Sequence, residues 1–307
     1  NSAPFLTPGA PAAGELPPHN RARLIPRAEF GRLVETRYIA PLDGRPVPPV
    51  FWYFGRGMPY ALLKQTRPGA PLIFVIGGTG AAHDSAKSLD LANVFYQAGF
   101  NVVTLPSPTE TSFIITASSD SVPGQLERDA ADLYRAMGVI ATTLAREIPI
   151  SGFHLAGYSL GGTHAAYVSW IDARERRFDF RTVTMINPAV SLYNSVNRLD
   201  AMVARNLSDD PDATTAFIDR MFEKIGVLAE SDGGQLDIGD PDFLFRAYTT
   251  LEPPERELEL LIGLAFRLTS NDMAFASDVM TRAGYLVAKD ARLTARTSLT
   301  DVLIQGL

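Results

Sequence analysis

Gly152-Phe153-His154-Leu155-Ala156-Gly157-Tyr158-Ser159-Leu160-Gly161-Gly162 is the stretch on which the reading of this chain turns. Residues 152–156 are short and mostly apolar, as a buried strand requires. Residues 160–170 are rich in alanine and aromatic side chains and hold no proline, which suits a helix. A serine therefore stands at the apex of a sharp strand-to-helix turn, the arrangement of a nucleophile elbow. Such a turn leaves no room for side chains beside the serine, which accounts for Gly157 and Gly161. It lifts the hydroxyl out of the sheet and sets the first amides of the helix, with their partial positive charge, where an oxyanion would form. A plain glycine-bordered turn is the alternative reading of the same five residues.

Working outward, Pro71 to Ile76 is a continuous apolar run, suited to a strand covered on both faces, and it ends in Gly77-Gly78-Thr79-Gly80. Residues 85–98 read as a helix stopped by Gly99, 101–105 as a strand, and 126–146 as an amphipathic helix with Leu126, Leu133, Met137, Ile140 and Leu144 on one stripe. Thr182 to Ile186 is the next strand; upstream, Val34–Ile39 and Val50–Phe54 read as two more. Strand and helix alternate, so the spacing predicts an α/β fold: a mostly parallel, doubly wound sheet with right-handed crossovers. Beyond Ala189 the strand pattern stops. Helical segments follow, with Phe217, Met221, Phe222 and Ile225 on one face and Leu258, Leu261, Ile262, Ala265 and Leu268 on another. The expected organisation is a proline-rich arm over residues 1–33, a core over 34–189 and a helical lid over 190–307.

The 307 residues suffice for a full core, and 46% hydrophobic with 20% charged residues is the balance of an ordinary globular protein. A formal net charge of -6, with no cluster of lysine and arginine, argues against a nucleic-acid partner. The chain has no cysteine, which excludes disulfides and thiolate chemistry, and His19, His83, His154 and His164 lack the spacing of zinc ligands, so neither metal nor cofactor is expected. No apolar run is long enough for a transmembrane segment. The chain begins at Asn1 and its first residues include Pro4, Pro8, Pro11, Pro17 and Pro18; an exported, periplasmic protein is one expectation, a cytoplasmic one the alternative.

The elbow, the Gly77–Gly80 loop after an apolar strand, and the strand spacing together resemble the α/β-hydrolase superfamily over roughly residues 34–187, with a helical cap like the lid many members carry. The resemblance implies a serine hydrolase of the esterase, lipase or thioesterase type, with a small-molecule acyl substrate. It implies Ser159 as nucleophile, the backbone N–H of Leu160 as first oxyanion donor and that of Thr79 as second. Gly77 stands where the family usually has a histidine. An acyl-transfer site needs both donors, since losing one costs about 3 kcal/mol of barrier.

The serine also needs a base, and in this family acid and histidine follow it in the chain. Only His164 follows Ser159, in a helix that leads away from it, so its side chain is expected beside the sheet or in solvent. His154 sits five residues before the serine, roughly 16 Å down the strand, and reads as a core histidine with a local partner. His83 follows the glycine loop and is the one to test as a base, although it also reads as a polar residue ahead of a helix. His19 falls in the arm. Asp84, Asp120 and Asp301 are carboxylates without a defensible place as the acid. Two expectations follow: a companion polypeptide completes the fold and supplies the base, or the scaffold is a non-catalytic binding or assembly protein. The segment from Pro106 to Val122 leaves the carboxyl end of a strand, so Phe113 and Ile114, with His83, are expected at the pocket.

Overall fold

A computed structural model describes residues 24–206 and 254–282, with residues 216, 219, 220 and 223 between them. Six strands form one sheet: β1 (Glu35–Ile39), β2 (Met58–Leu63), β3 (Leu72–Ile76), β4 (Asn101–Leu105), β5 (Phe153–Tyr158) and β6 (Val183–Ile186), in the order β1-β2-β4-β3-β5-β6. β2 runs antiparallel to β1 and β4; the β4-β3-β5-β6 portion is parallel. The fold is the α/β architecture that the alternation of strand and helix predicts.

The central strand β3 shows why. Its residues are all buried, and they alternate: Leu72, Phe74 and Ile76 pack on one side, Ile73 and Val75 on the other. A strand buried on both faces needs a continuous apolar run, and each side chain contributes roughly 1.5–3 kcal/mol by leaving water. Helix α2 (Ala86–Gln97) covers one face. Its first turn is capped by Ser85, whose side chain accepts from Ser88 N. Helices α4 (Leu126–Leu144) and α5 (Leu160–Glu175) cover the other, with Leu133, Met137, Ile140 and Leu144 of α4 buried in the larger core.

Several expectations need correction. Residues 50–54 are no strand: Pro48 and Pro49 open a 3-10 helix over Pro49–Phe54, which buries Phe51. The sequence reading passed over β2, every residue of which is buried. The segment after β4 holds helix α3 (Thr111–Thr116), whose first turn is capped by the Glu110 carboxylate accepting from Ser112 N at 2.8 Å. At its other end the Arg45 guanidinium donates to the carbonyls of Ile115 (2.7 Å) and Ile114 (3.2 Å). Residues 24–33, placed in the arm, belong to the body of the protein. Helix α1 (Arg27–Phe30) buries Phe30 against the α2 side of the sheet, and Asn93 bonds both the N–H and the carbonyl of Ile25.

Helices α6 (Leu192–Asn206) and α7 (Glu255–Thr281) pack on each other, and α7 packs on α3. Arg267 pairs with Asp200 at 3.1 Å and Arg205 with Glu259 at 3.0 Å, while Met273 and Ala276 of α7 meet Phe51, Ile114 and Ile115. The face proposed for Phe217, Met221, Phe222 and Ile225, the side chains of Leu261, Ala265 and Leu268, His19 and Asp301 lie outside the described residues. No described helix is long and apolar enough to cross a membrane.

Candidate active site

β5 ends at Tyr158 and α5 begins at Leu160, so Ser159 alone makes the turn. Its backbone sits at φ 53°, ψ -127°, a conformation that costs a non-glycine residue roughly 1–3 kcal/mol and persists only where the surroundings impose it. They do so at short range. A Cβ on Gly161 would lie 2.3 Å from the Ile76 carbonyl oxygen and 2.4 Å from that of Gly77. A Cβ on Gly78 would come within 2.8 Å of the Tyr158 ring and 3.2 Å of the Ser159 Cβ. The turn at Ser159 is pressed against the end of β3 and the loop that follows, and a backbone bond from Ser159 N to Ile186 O at 2.9 Å ties it to β6.

Leu160 is the first residue of α5, where an N–H has no intrahelical acceptor. Among the described residues no hydrogen bond takes the N–H of Leu160 or of Thr79. Both residues, with Ser159, line one cavity of about 330 Å³. That volume is at the small end for a ligand site. Leu192, Val196 and Leu199, one face of α6, and Phe266 and Met273 of α7 make much of its wall. The sequence showed these helices but not which face meets the serine.

Two side chains unremarked in the sequence hold the glycine loop in place. Gly80 N donates to Thr109 Oγ1 at 2.8 Å, Ser107 Oγ lies 2.9 Å from the same oxygen, and Ser107 N donates to the Ala81 carbonyl at 2.9 Å. Thr109 also lines the cavity, so it fixes the peptide next to Thr79 from inside the site. Thr109→Val, of equal size but with no acceptor, is expected to lower the stability by about 1 kcal/mol, and Thr109→Ser to recover it; urea unfolding checks this. The adjoining Glu110 carboxyl is pushed above its usual value by burial, an effect that the bonds from Ser112 oppose.

Phe113, Ile114 and His83 do not line the cavity. An unbroken apolar trio in one helical turn has no polar side to present, so Phe113 sinks into the main core and Ile114 against α7. His83 is buried, with Nδ1 3.6 Å from Asp84 Oδ1 and its carbonyl accepting from Thr104 Oγ1; burial pulls its pKa down. His154 is half-buried rather than a core residue, bonded to Thr182 Oγ1 at 2.7 Å and edge-on to Phe100; burial, then Arg181, lowers its pKa. His164 is fully buried beside the sheet, with Nε2 3.5 Å from Asp129 Oδ2. Asp120 pairs with Arg128. Among the described residues no group of three or more metal-ligating side chains could hold an ion.

A strand order of 1-2-4-3-5-6 with an antiparallel second strand, and a strained serine between the fifth strand and the next helix, is the architecture of the α/β-hydrolases. No family model and no curated protein matches the chain. Among solved structures it is similar to Est1E from Butyrivibrio proteoclasticus, at 13% identity and a TM-score of 0.32 over 46% of this chain and 51% of that one. It is also similar to a hyperthermophilic esterase from Pyrobaculum calidifontis, at 19% identity and 0.34 over 54% and 49%. A third is brefeldin A esterase, a bacterial homologue of human hormone-sensitive lipase, at 16% and 0.37 over 89% and 76%. The chain thus spans about half the length of the first two.

Proposed function

We propose that this protein is a serine hydrolase of acyl substrates, an ester or thioester, with Ser159 as nucleophile and the N–H groups of Leu160 and Thr79 as oxyanion donors. The observation that carries the reading is the backbone of Ser159, forced to positive φ at the mouth of α5 and opening on a cavity that Thr79 shares. In this mechanism Oγ bonds to the carbonyl carbon as a base takes its proton, and the carbonyl oxygen gathers negative charge between the two donors. Collapse of the adduct expels the alcohol or thiol, which recovers the proton, and water then cleaves the acyl-serine by the same route. His83, His154 and His164 do not line the cavity, so the reading assigns the base to a companion polypeptide or to residues outside those described.

The same placement of the histidines favours a second reading, a binding or assembly protein on this scaffold in which Ser159 performs no chemistry. A fluorophosphonate probe separates the two. Labelling of the full-length protein that disappears in Ser159→Ala is expected; an unlabelled wild-type protein overturns the hydrolase and leaves the binding protein.

A further inference from the structure

The charge on the cavity wall is one-sided. Arg198 of α6 lines the cavity, and among the described residues no aspartate or glutamate does. The arginine has no carboxylate partner among the described residues either. The nearest acid on its own helix, Asp200, is two positions away, which on a helix is a different face, and it is paired with Arg267. Glu259, the acid of α7 that reaches toward α6, is taken by Arg205 and by Asn206 at 2.7 Å. Arg205 and Arg267 are thus neutralised within the helix pair, and Arg198 is left without a counter-charge among the described residues.

Its position adds a second argument. Arg198 and Ser195 line the cavity that holds Ser159, and both also line an adjoining, more open groove whose other residues include Ser191, Asn194 and Asn197. That groove, too, has one cation, several hydroxyl and amide groups and no carboxylate among the described residues. The cavity wall is thus largely apolar (Leu160, Val196, Phe266), whereas the groove that shares Ser195 and Arg198 with it is lined mainly by polar side chains and the arginine. A guanidinium meets carboxylate or phosphate oxygens with paired, charge-assisted hydrogen bonds. The chain as a whole carries a formal charge of -6, so the positive wall runs against the field of the rest of the molecule and is a local feature.

We propose that Arg198 is the recognition site for an anionic group at the far end of the acyl substrate: an ester whose apolar segment fills the cavity and whose carboxylate or phosphate reaches the α6 groove. This rests on the acyl-hydrolase reading for the place of the reacting carbonyl. Titration calorimetry on the Ser159→Ala protein tests it with monomethyl adipate, with a methyl hexanoate bearing a terminal phosphate, and with neutral dimethyl adipate. The anionic ligands are expected to bind about tenfold tighter than the neutral one. Arg198→Gln is expected to erase that ratio and Arg198→Lys to restore part of it, and the tighter of the two anions names the head group. The ratio is also expected to shrink in 0.5 M salt, roughly as an exposed ion pair is screened. Equal affinity for charged and neutral ligands, no binding of either, or a ratio that survives Arg198→Gln overturns the proposal. An anion preference in a protein that resists fluorophosphonate would instead retain Arg198 as a binding group and remove Ser159 as a nucleophile.

Discussion

A Gly161→Ala protein is expected to lose both its stability and any reaction with an acyl probe. The new Cβ would meet two backbone oxygens, at 2.3 Å and 2.4 Å, belonging to the last residue of β3 and the first of the glycine loop. Neither can swing aside as a flexible side chain would. β3 is a central strand buried at every residue, and the loop is tied down by Thr109 and Ser107. Relief requires moving α5 off the sheet, where it buries Ala165 and Val168, or moving the glycine loop. Overpacking a rigid site costs about 3 kcal/mol, so Tm is expected to fall by roughly 6 °C or more. Either movement also displaces Ser159, Leu160 and Thr79 from the cavity they share, so on the proposed function labelling fails even in the fraction that folds. Thermal unfolding followed by fluorophosphonate labelling below Tm checks both parts. A variant with wild-type Tm and labelling would contradict the packing described for the elbow.

Asp172→Ala is expected to be the most destabilising change away from the site. The carboxylate is buried near the end of α5, where it accepts from Tyr134 Oη at 2.7 Å, from Phe178 N at 2.9 Å and from Phe180 N at 3.2 Å. It thereby holds the turn that leads into β6 against α4. Alanine leaves three donors without an acceptor, each worth about 1–3 kcal/mol when buried, and a net loss of about 4 kcal/mol is expected from urea unfolding. The phenol gives an independent readout. Burial, and after it the bond to Asp172, pushes the Tyr134 pKa up to about 12 from the ordinary 10.0. Above pH 10 the unfolded chain sheds this proton while the folded protein keeps it. The contribution to stability is therefore complete below pH 10 and lost as pH rises toward 12. Burial raises the Tyr60 pKa as well, so absorbance titration should show Tyr134 among the late tyrosines of the wild-type protein and one fewer late tyrosine in Asp172→Ala.

What the amino-acid order reveals, and what it hides, follows from the range of the forces involved. β3, β4 and the strand-to-helix turn at Ser159 are legible because their signals are local: unbroken apolar runs and glycines at fixed offsets from a serine. β2 is hidden by Pro59, which reads as a strand breaker. In the sheet Pro59 stands opposite Tyr38 of β1 near the start of β2, where no β4 residue pairs with it, and pairing with β4 begins at Ala61. Phe51 to Phe54 mimic a strand through their aromatics, yet the prolines before them set a helical φ and one ring, Phe51, serves as the anchor. Thr109 is illegible for another reason. Its part is a hydrogen bond to Gly80, 29 residues earlier, and nothing local announces it. The helical character of α6 can be read from the sequence, but that Arg198 has no carboxylate partner among the described residues emerges only once Arg267 takes Asp200 and Arg205 takes Glu259.

The bond from Ser159 N to Ile186 O makes β6 a ruler. One residue past that carbonyl comes Asn187, at φ 46°, then Pro188 and Ala189, which line the same cavity as the serine, and α6 starts at Leu192. A deletion or insertion of one residue in β6 would advance or retract that whole wall by about 3.3 Å relative to Oγ, and would turn its side chains to the opposite face. Descendants of this sequence are therefore free to change what the pocket admits by exchanging side chains on α6, but not by altering the length of the four-residue strand that sets its distance from the serine.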